Sequence, residues 1–342
     1  MAVSGDRIGV ADPRREFTPQ GVPPGLRQPR LPAPVPPPTG VADLPRFLRA
    51  LAVRADADDL ASAYAGCDMA VAAATGWDSP AALAAAHSLR SSVGRRLGEL
   101  PTAGRDGRTA SDLLRAAGAA PGADAVVLAV ARRVAVLVDR GELEDADDLL
   151  ADAGLASGDA TLAVRYVRGR LHAASGRPGE ALTDLFHCGQ QLATRNADRP
   201  TVLPWRSAAA SALATTGATE SAARLVGDEV AMARRAGTAS ALGRALRVQG
   251  RLLPAPAGIA VLEESVRVLE GAPQRFELAG ALVDCGLQLT AAKRRPQARR
   301  LLRDGLELAQ RCGSPVLAQM ARSAYLAAGG KVRPLVPPPR GG

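Results

Sequence analysis

Four cysteines and three histidines are the side chains on which metal or nucleophilic chemistry would draw in this chain of 342 residues, and their spacing supports neither. Cys67, Cys188, Cys285 and Cys312 stand far apart, with no C-x-x-C and no Cys/His ligand spacing. They read as buried thiols, which fits a reducing compartment. His87 has no second ligand three or four residues away. His187 and Cys188 are adjacent, and adjacent helical residues diverge by about 100°, so they form no chelating pair. His172 lies too near a turn to join them. The carboxylates Asp139, Glu142, Glu144, Asp145, Asp147, Asp148 and Asp152 are dense enough to raise calcium. The 12-residue loop with its central Gly and terminal Glu is missing, however. Those near the helix start favour the helix dipole, and the others are assigned to a solvated face.

Phosphate and acyl chemistry fare no better. No G-x-x-x-x-G-K-[ST] occurs, and Gly329-Gly330-Lys331-Val332 lacks both the first glycine and the hydroxyl. G-x-S-x-G and H-E-x-x-H are also missing. The expectation is therefore a protein that is not an enzyme, with no cofactor and no metal.

What remains is arginine. The net charge of +9 is unevenly spread: residues 41–160 hold 12 basic and 18 acidic residues, residues 271–342 hold 12 basic and 4 acidic. Lys293, Arg294, Arg295, Arg299, Arg300 and Arg303 form a basic cluster, on which a nucleic-acid-binding function is the alternative reading. No aromatics interleave it, half of it falls at a hairpin turn and helix start, and specific DNA binding by this chain alone is not expected. Lys293 and Lys331 are the only lysines, so the basicity is nearly all Arg, as a GC-rich genome gives regardless of function.

The elements that would position any arginine are helices. Aromatics are 3% of the chain while Ala and Leu dominate its apolar set, which suits closely stacked helices better than a sheet core. From Leu203 to Gly313 a helical-hairpin repeat is legible. The tetratricopeptide pattern asks for a small residue near position 8, a turn glycine near 15 and a small residue at 20, because small residues let antiparallel helices approach. Ala210, Gly217 and Ala222 meet it, as do Gly286 and Ala298, with Leu282 and Leu289 on the same face. Gly169, Gly176 and Ala181 also match. There position 7 falls on Arg168, which the stripe Val164, Val167, Leu171 and Ala174 leaves facing out.

Earlier in the chain, Asp56 or Asp58 is expected to cap a helix through Thr75, and Ser79-Pro80 starts another. Pro101 to Arg108 reads as a loop, with Thr109 or Ser111 capping a short helix to Ala117. Trp205 is expected to pack on the preceding hairpin. Prolines at ten of the first 40 positions predict an extended, disordered arm, and Pro34-Val35-Pro36-Pro37-Pro38 offers a polyproline II ligand. The expected division is a Pro-rich arm over 1–40, degenerate helical repeats over 41–120, a tetratricopeptide-like repeat domain over 121–330 and a tail over 331–342. No run of about 18 apolar residues suggests a membrane span, and no charged-then-apolar signal pattern opens the chain, so a cytoplasmic location is expected.

Leu203-Pro204-Trp205-Arg206-Ser207, Ala241-Leu242-Gly243-Arg244-Ala245-Leu246-Arg247, Gly305-Leu306-Glu307-Leu308-Ala309 and Arg311-Cys312-Gly313 carry a family resemblance. From about Ala125 to Gly330 the chain resembles the tetratricopeptide-rich C-terminal region of large ATP-binding regulators of the LuxR family, of the actinobacterial type. The resemblance implies an all-α, tetratricopeptide-like helical-hairpin superhelix that serves transcription regulation by holding a protein partner or small effector. In the family, an ATPase precedes this region and a DNA-binding helix-turn-helix follows it. This sequence shows neither the phosphate loop of the first nor the two or three further helices of the second. Self-association as a homo-oligomer is compatible with the reading.

In the repeat anchored on Gly243, positions 4, 7, 8 and 11 are Ala239, Leu242, Gly243 and Leu246, all small or apolar. That register puts Arg244 and Arg247 at positions 9 and 12, facing the concave groove. Two guanidiniums one turn apart can grip a carboxylate or phosphate on a peptide or small molecule. They are the candidate partner or effector site.

Overall fold

The computed structural model describes residues 36–331. Most of the Pro-rich arm, with the start of its polyproline segment, and all but the first residue of the C-terminal tail lie outside the described residues.

Every described element is helical: α1 (Leu44–Asp56), α2 (Leu60–Thr75), α3 (Pro80–Leu97), α4 (Leu100–Ala116), α5 (Asp124–Arg140), α6 (Leu143–Asp152), α7 (Leu162–Ala174), α8 (Pro178–Thr194), α9 (Trp205–Thr215), α10 (Thr219–Ala236), α11 (Ala239–Leu252), α12 (Ala257–Glu270), α13 (Arg275–Ala291), α14 (Arg295–Cys312) and α15 (Pro315–Ala327). Consecutive helices pair as hairpins, and each hairpin stacks on the next, so the fold is a tetratricopeptide-like helical repeat.

Small residues set the hairpin spacing. Ala181, Ala222 and Ala298 are fully buried, and so is Ala210. At Gly286 an added Cβ would lie 2.5 Å from Leu302 Cγ, and at Gly169 one would lie 2.8 Å from Leu185 Cγ. Each of these leucines is sixteen residues beyond its glycine, so one spacing rule builds both hairpins. Gly217, with φ of 82°, makes the turn between α9 and α10 that a side chain would strain. The Ser79 hydroxyl accepts from the Ala82 amide at 3.3 Å, as the Ser-Pro signal predicts. Trp205 is buried, lies edge-on to Phe186 of α8 and covers Gly189 so closely that no Cβ would fit there. It packs on the preceding hairpin.

Four readings of the sequence need correction. Pro101 to Arg108 is not a loop but the first half of α4. Gly107 faces α5 and α3, where a Cβ would come to 3.4 Å from both Arg133 Cβ and Ser91 Oγ. Neither Asp56 nor Asp58 caps α2, whose N-cap is Asp59 without a side-chain cap bond. Asp58 Oδ2 instead accepts from the Ser240 amide at 2.8 Å, so it caps α11 across the molecule. Arg168 does not face out. It is buried between α7 and α8, where Asp184 takes its Nε and Nη2 at 2.6 and 2.7 Å and the carbonyls of Leu155 and Gly158 take further N–H groups. Asp139 does not join the solvated carboxylates but is buried.

The stack turns far enough to meet itself. The end of α1 reaches α11 through Asp58, and the end of α3 reaches the start of α13 at Gly98 and Phe276. The end of α5 reaches α15, where Ser314 Oγ donates to the Asp139 carbonyl at 2.7 Å and Arg140 Nη1 donates to the Gly313 carbonyl at 3.4 Å. The odd-numbered helices α3 to α13 face the enclosed space. No helix among the described residues is long and apolar enough to cross a membrane.

The spacing rule is testable with two glycines of opposite surroundings. Gly286→Val should lower stability by about 1–3 kcal/mol in urea unfolding, because the added methyl groups meet Leu302. Gly227→Ala, within α10 and with open space at its Cβ, should raise stability by about 0.5–1 kcal/mol. A neutral Gly286→Val would show that helix approach is not limited there.

Candidate functional site: an arginine-lined chamber

The inner faces of α3, α5, α7, α9, α11 and α13, with residues 201–204, line a half-open cavity of about 380 Å³. Arginine dominates its polar wall. Arg95 and Arg96 come from α3, Arg132 from α5, Arg170 from α7, and Arg244, Arg247 and Arg251 from α11. Leu128, Tyr166, Val248 and Phe276 supply apolar wall between them, and Asp56 and Glu277 are the only carboxylates that line it.

The guanidiniums are held by carboxylates set mostly behind the wall. Asp139 accepts from Arg95 Nη1 at 2.8 Å and Arg170 Nη2 at 2.5 Å. Asp284 accepts from Arg247 Nε at 2.6 Å, and Glu277 takes Arg247 Nη1 at 3.1 Å. Arg251 Nε lies 4.0 Å from Asp284. Arg96 Nη1 donates to Asp56 at 3.1 Å, with Asp58 at 3.8 Å from its Nη2. Arg244 Nη2 donates to the Pro200 carbonyl at 2.6 Å and stands 3.7 Å from Glu229. Arg132 differs: its partner is a hydroxyl, Ser88 Oγ, at 2.9 Å, and no carboxylate among the described residues lies within 4.0 Å.

Burial shapes the charge of these groups. It would push the Asp139 carboxyl up, but Arg170 and Arg95, by charge and hydrogen bonds, hold it below the usual carboxylate range. Burial wins at Glu229 and at Asp56, whose carboxyls sit above that range despite Arg244 and Arg96 respectively. At Arg132 burial lowers the guanidinium to about 10, with no carboxylate to offset it. Seven arginines therefore face six carboxylates within reach. The chamber is electropositive.

Arg244 and Arg247 both line this space, and the structure separates their states. Arg247 is held by two carboxylates, whereas the buried Nε of Arg244 has no hydrogen-bond partner. The sequence reading missed Arg95, Arg96, Arg132, Arg170 and Arg251. The available signal was an arginine interrupting a small or apolar stretch of an odd-numbered helix, as Arg132 does after Leu128 to Ala131. The basic cluster lies elsewhere: Lys293, Arg294, Arg295, Arg300 and Arg303 are exposed at the α13–α14 turn and on α14, with Arg299 half-buried. His87 pairs with Asp106 at 2.8 Å outside the chamber. The four thiols are buried, and burial raises each well above its ordinary value. Among the described residues no group of three or more His, Cys, Asp or Glu is placed to hold a metal ion.

No protein-family model matches the chain, and no curated protein does. Solved structures match its fold. A Rap protein complexed with competence and sporulation factor aligns over 83% of this chain and 78% of its own, at 14% identity and a TM-score of 0.64. A tetratricopeptide repeat protein from Parabacteroides merdae aligns over 84% of this chain and 100% of its own, at 14% identity and a TM-score of 0.47. A signal-transduction ATPase with numerous domains and a tetratricopeptide repeat sensor, from Pyrococcus horikoshii, aligns over 78% of this chain and 43% of its own, at 14% identity and a TM-score of 0.49. At such identity the likeness to the Rap protein is one of fold.

The buried Asp139 cluster gives a pH prediction. A carboxyl held below its unfolded value of about 3.9 adds stability that is present above that pH and lost as pH falls through the lower, folded value. Asp139→Asn should therefore lower stability by about 3–5 kcal/mol at pH 7, since it leaves Arg95 and Arg170 uncompensated. The gap between variant and native protein should narrow below about pH 4. A gap that stays constant from pH 7 to pH 3 in urea titrations would contradict the assignment.

Proposed function

We propose that this chain is the non-catalytic sensor or scaffold part of a regulator related to the LuxR family, and that it binds a protein partner or small effector in the arginine-lined chamber. The observation that carries the reading is seven arginines directed into one space by successive repeats. Tetratricopeptide stacks expose a continuous inner surface from which each repeat contributes one or two side chains to a ligand. Here that surface curves into a half-open cavity, so an occupant would meet repeats from both ends of the chain. Its entry or release would bear on the contacts between α1 and α11, α3 and α13, and α5 and α15, which is what a sensor requires. Transcription regulation rests on the sequence resemblance, and binding of a signal by the Rap protein's fold is consistent with it.

Arg244→Ala with Arg247→Ala tests the placement. Acidic peptides and anionic metabolites that raise the melting temperature of the native chain should fail to do so in the double variant, with helicity unchanged by circular dichroism. Retention of those shifts in the folded variant would move the site out of the chamber. A gel shift with strong preference for one duplex at physiological salt would favour the exposed Lys293 to Arg303 cluster instead.

A further inference from the structure

The charge balance of the chamber says what kind of effector would occupy it, an inference that rests on the function proposed above. Six of its arginines have a carboxylate within 4.0 Å and Arg132 has none. Its Nη1 meets only the Ser88 hydroxyl, which is neutral. A largely buried cation without a counter-charge is costly to keep, so the missing charge points to something that binds. A second observation points the same way. Arg244 lines the chamber, and its buried Nε has no acceptor.

Donors also outnumber acceptors. Each guanidinium carries five N–H donors in a fixed fork and accepts nothing. In this chamber six guanidiniums spend one or two of them on protein acceptors, as Arg95 and Arg170 do on Asp139, and Arg251 only approaches Asp284 at 4.0 Å. A peptide backbone brings about as many donors as acceptors and would leave much of the wall unmatched. An oxyanion brings acceptors only, and a phosphoryl or carboxylate group matches the guanidinium fork with two parallel bonds. The cavity of about 380 Å³ is the size of a small-molecule site. Tyr166, Leu128 and Phe276 leave an apolar stretch of wall for a carbon body.

We propose that the chamber binds a small organic anion with two or more negative charges on phosphoryl or carboxylate groups, and that Arg132 is the cation whose counter-charge the ligand supplies. Arg244 adds a second guanidinium to the site, one whose Nε has no acceptor in the protein. Arg247 already has two carboxylate partners and positions the wall.

Calorimetry and thermal melting of the full chain test this at physiological salt, with pyrophosphate and citrate as multiply charged probes and acetate as the singly charged control. At least one of the two should bind saturably and raise the melting temperature by several degrees, while acetate does neither. Pyrophosphate alone would assign phosphoryl groups, and citrate alone carboxylates. Arg132→Gln should weaken that binding at least tenfold, and Arg300→Gln on the exposed surface should leave it unchanged. Without anion, Arg132→Gln should melt no lower than the native chain, because it removes an uncompensated charge. Should that variant misfold, Leu128→Trp fills the chamber without touching a charge and should also block binding. Failure of both probes to bind would overturn the proposal, and so would binding that survives Arg132→Gln and Leu128→Trp. If acidic peptides alone bind, and Arg244→Ala with Arg247→Ala abolishes it, the sensor reading stands and the small-anion proposal falls.

Discussion

One buried carboxylate, Asp139, ties together four helices that are far apart in the chain. Its two oxygens hold Arg95 of α3 and Arg170 of α7, while its backbone carbonyl accepts from Ser314 at the start of α15. A buried charge persists only where its partners compensate it with good geometry, so α3 and α7 are fixed relative to α5 by one requirement, while α15 is held through the backbone of the same residue. The same junction decides that the repeat stack closes rather than spreads. Gly141, the residue that ends α5, lies against Val316 of α15, and Gly313 against Pro101 of α4. There is no room for side chains between these ends.

Closure turns a repeat surface into a chamber. In an open stack the inner arginines would be solvated and each would matter little. Here they share a small space, and their neighbours of the same sign raise the cost of every unpaired guanidinium. The carboxylates behind the wall answer most of that cost. They are drawn from the outer layer of the same stack, with Glu229 on α10, or from further along the inner helices, with Asp284 on α13. The surplus left at Arg132 follows from this arrangement rather than from the overall charge of the chain.

Much of the fold was legible in the sequence because it depends on local spacing. The small residues Ala210, Gly217 and Ala222 announce one hairpin, Gly286 and Ala298 another, and the register on Gly243 sends Arg244 and Arg247 inward. What failed depends on partners that periodicity does not contain. Arg168 reads as exposed until Asp184, sixteen residues on, is seen to neutralise it. Asp58 reads as a cap for the next helix but serves one 182 residues away. The two glycines of α4 read as loop although the helix runs through both, packed against Arg133 and Val136 of another helix. The chamber was half legible for the same cause: direction into the groove follows from register, whereas pairing and its deficit at Arg132 follow from which carboxylates the closed stack brings near.

The central claim is that the enclosed arginines, and not the exposed basic turn, form the binding site of this protein. The most direct measurement is a crystal of the full chain soaked in tungstate, a tetrahedral dianion located by its anomalous scattering. The account predicts a peak inside the chamber, within hydrogen-bond reach of Arg132 or Arg244. An empty chamber with peaks only along Arg294 to Arg303 would contradict it.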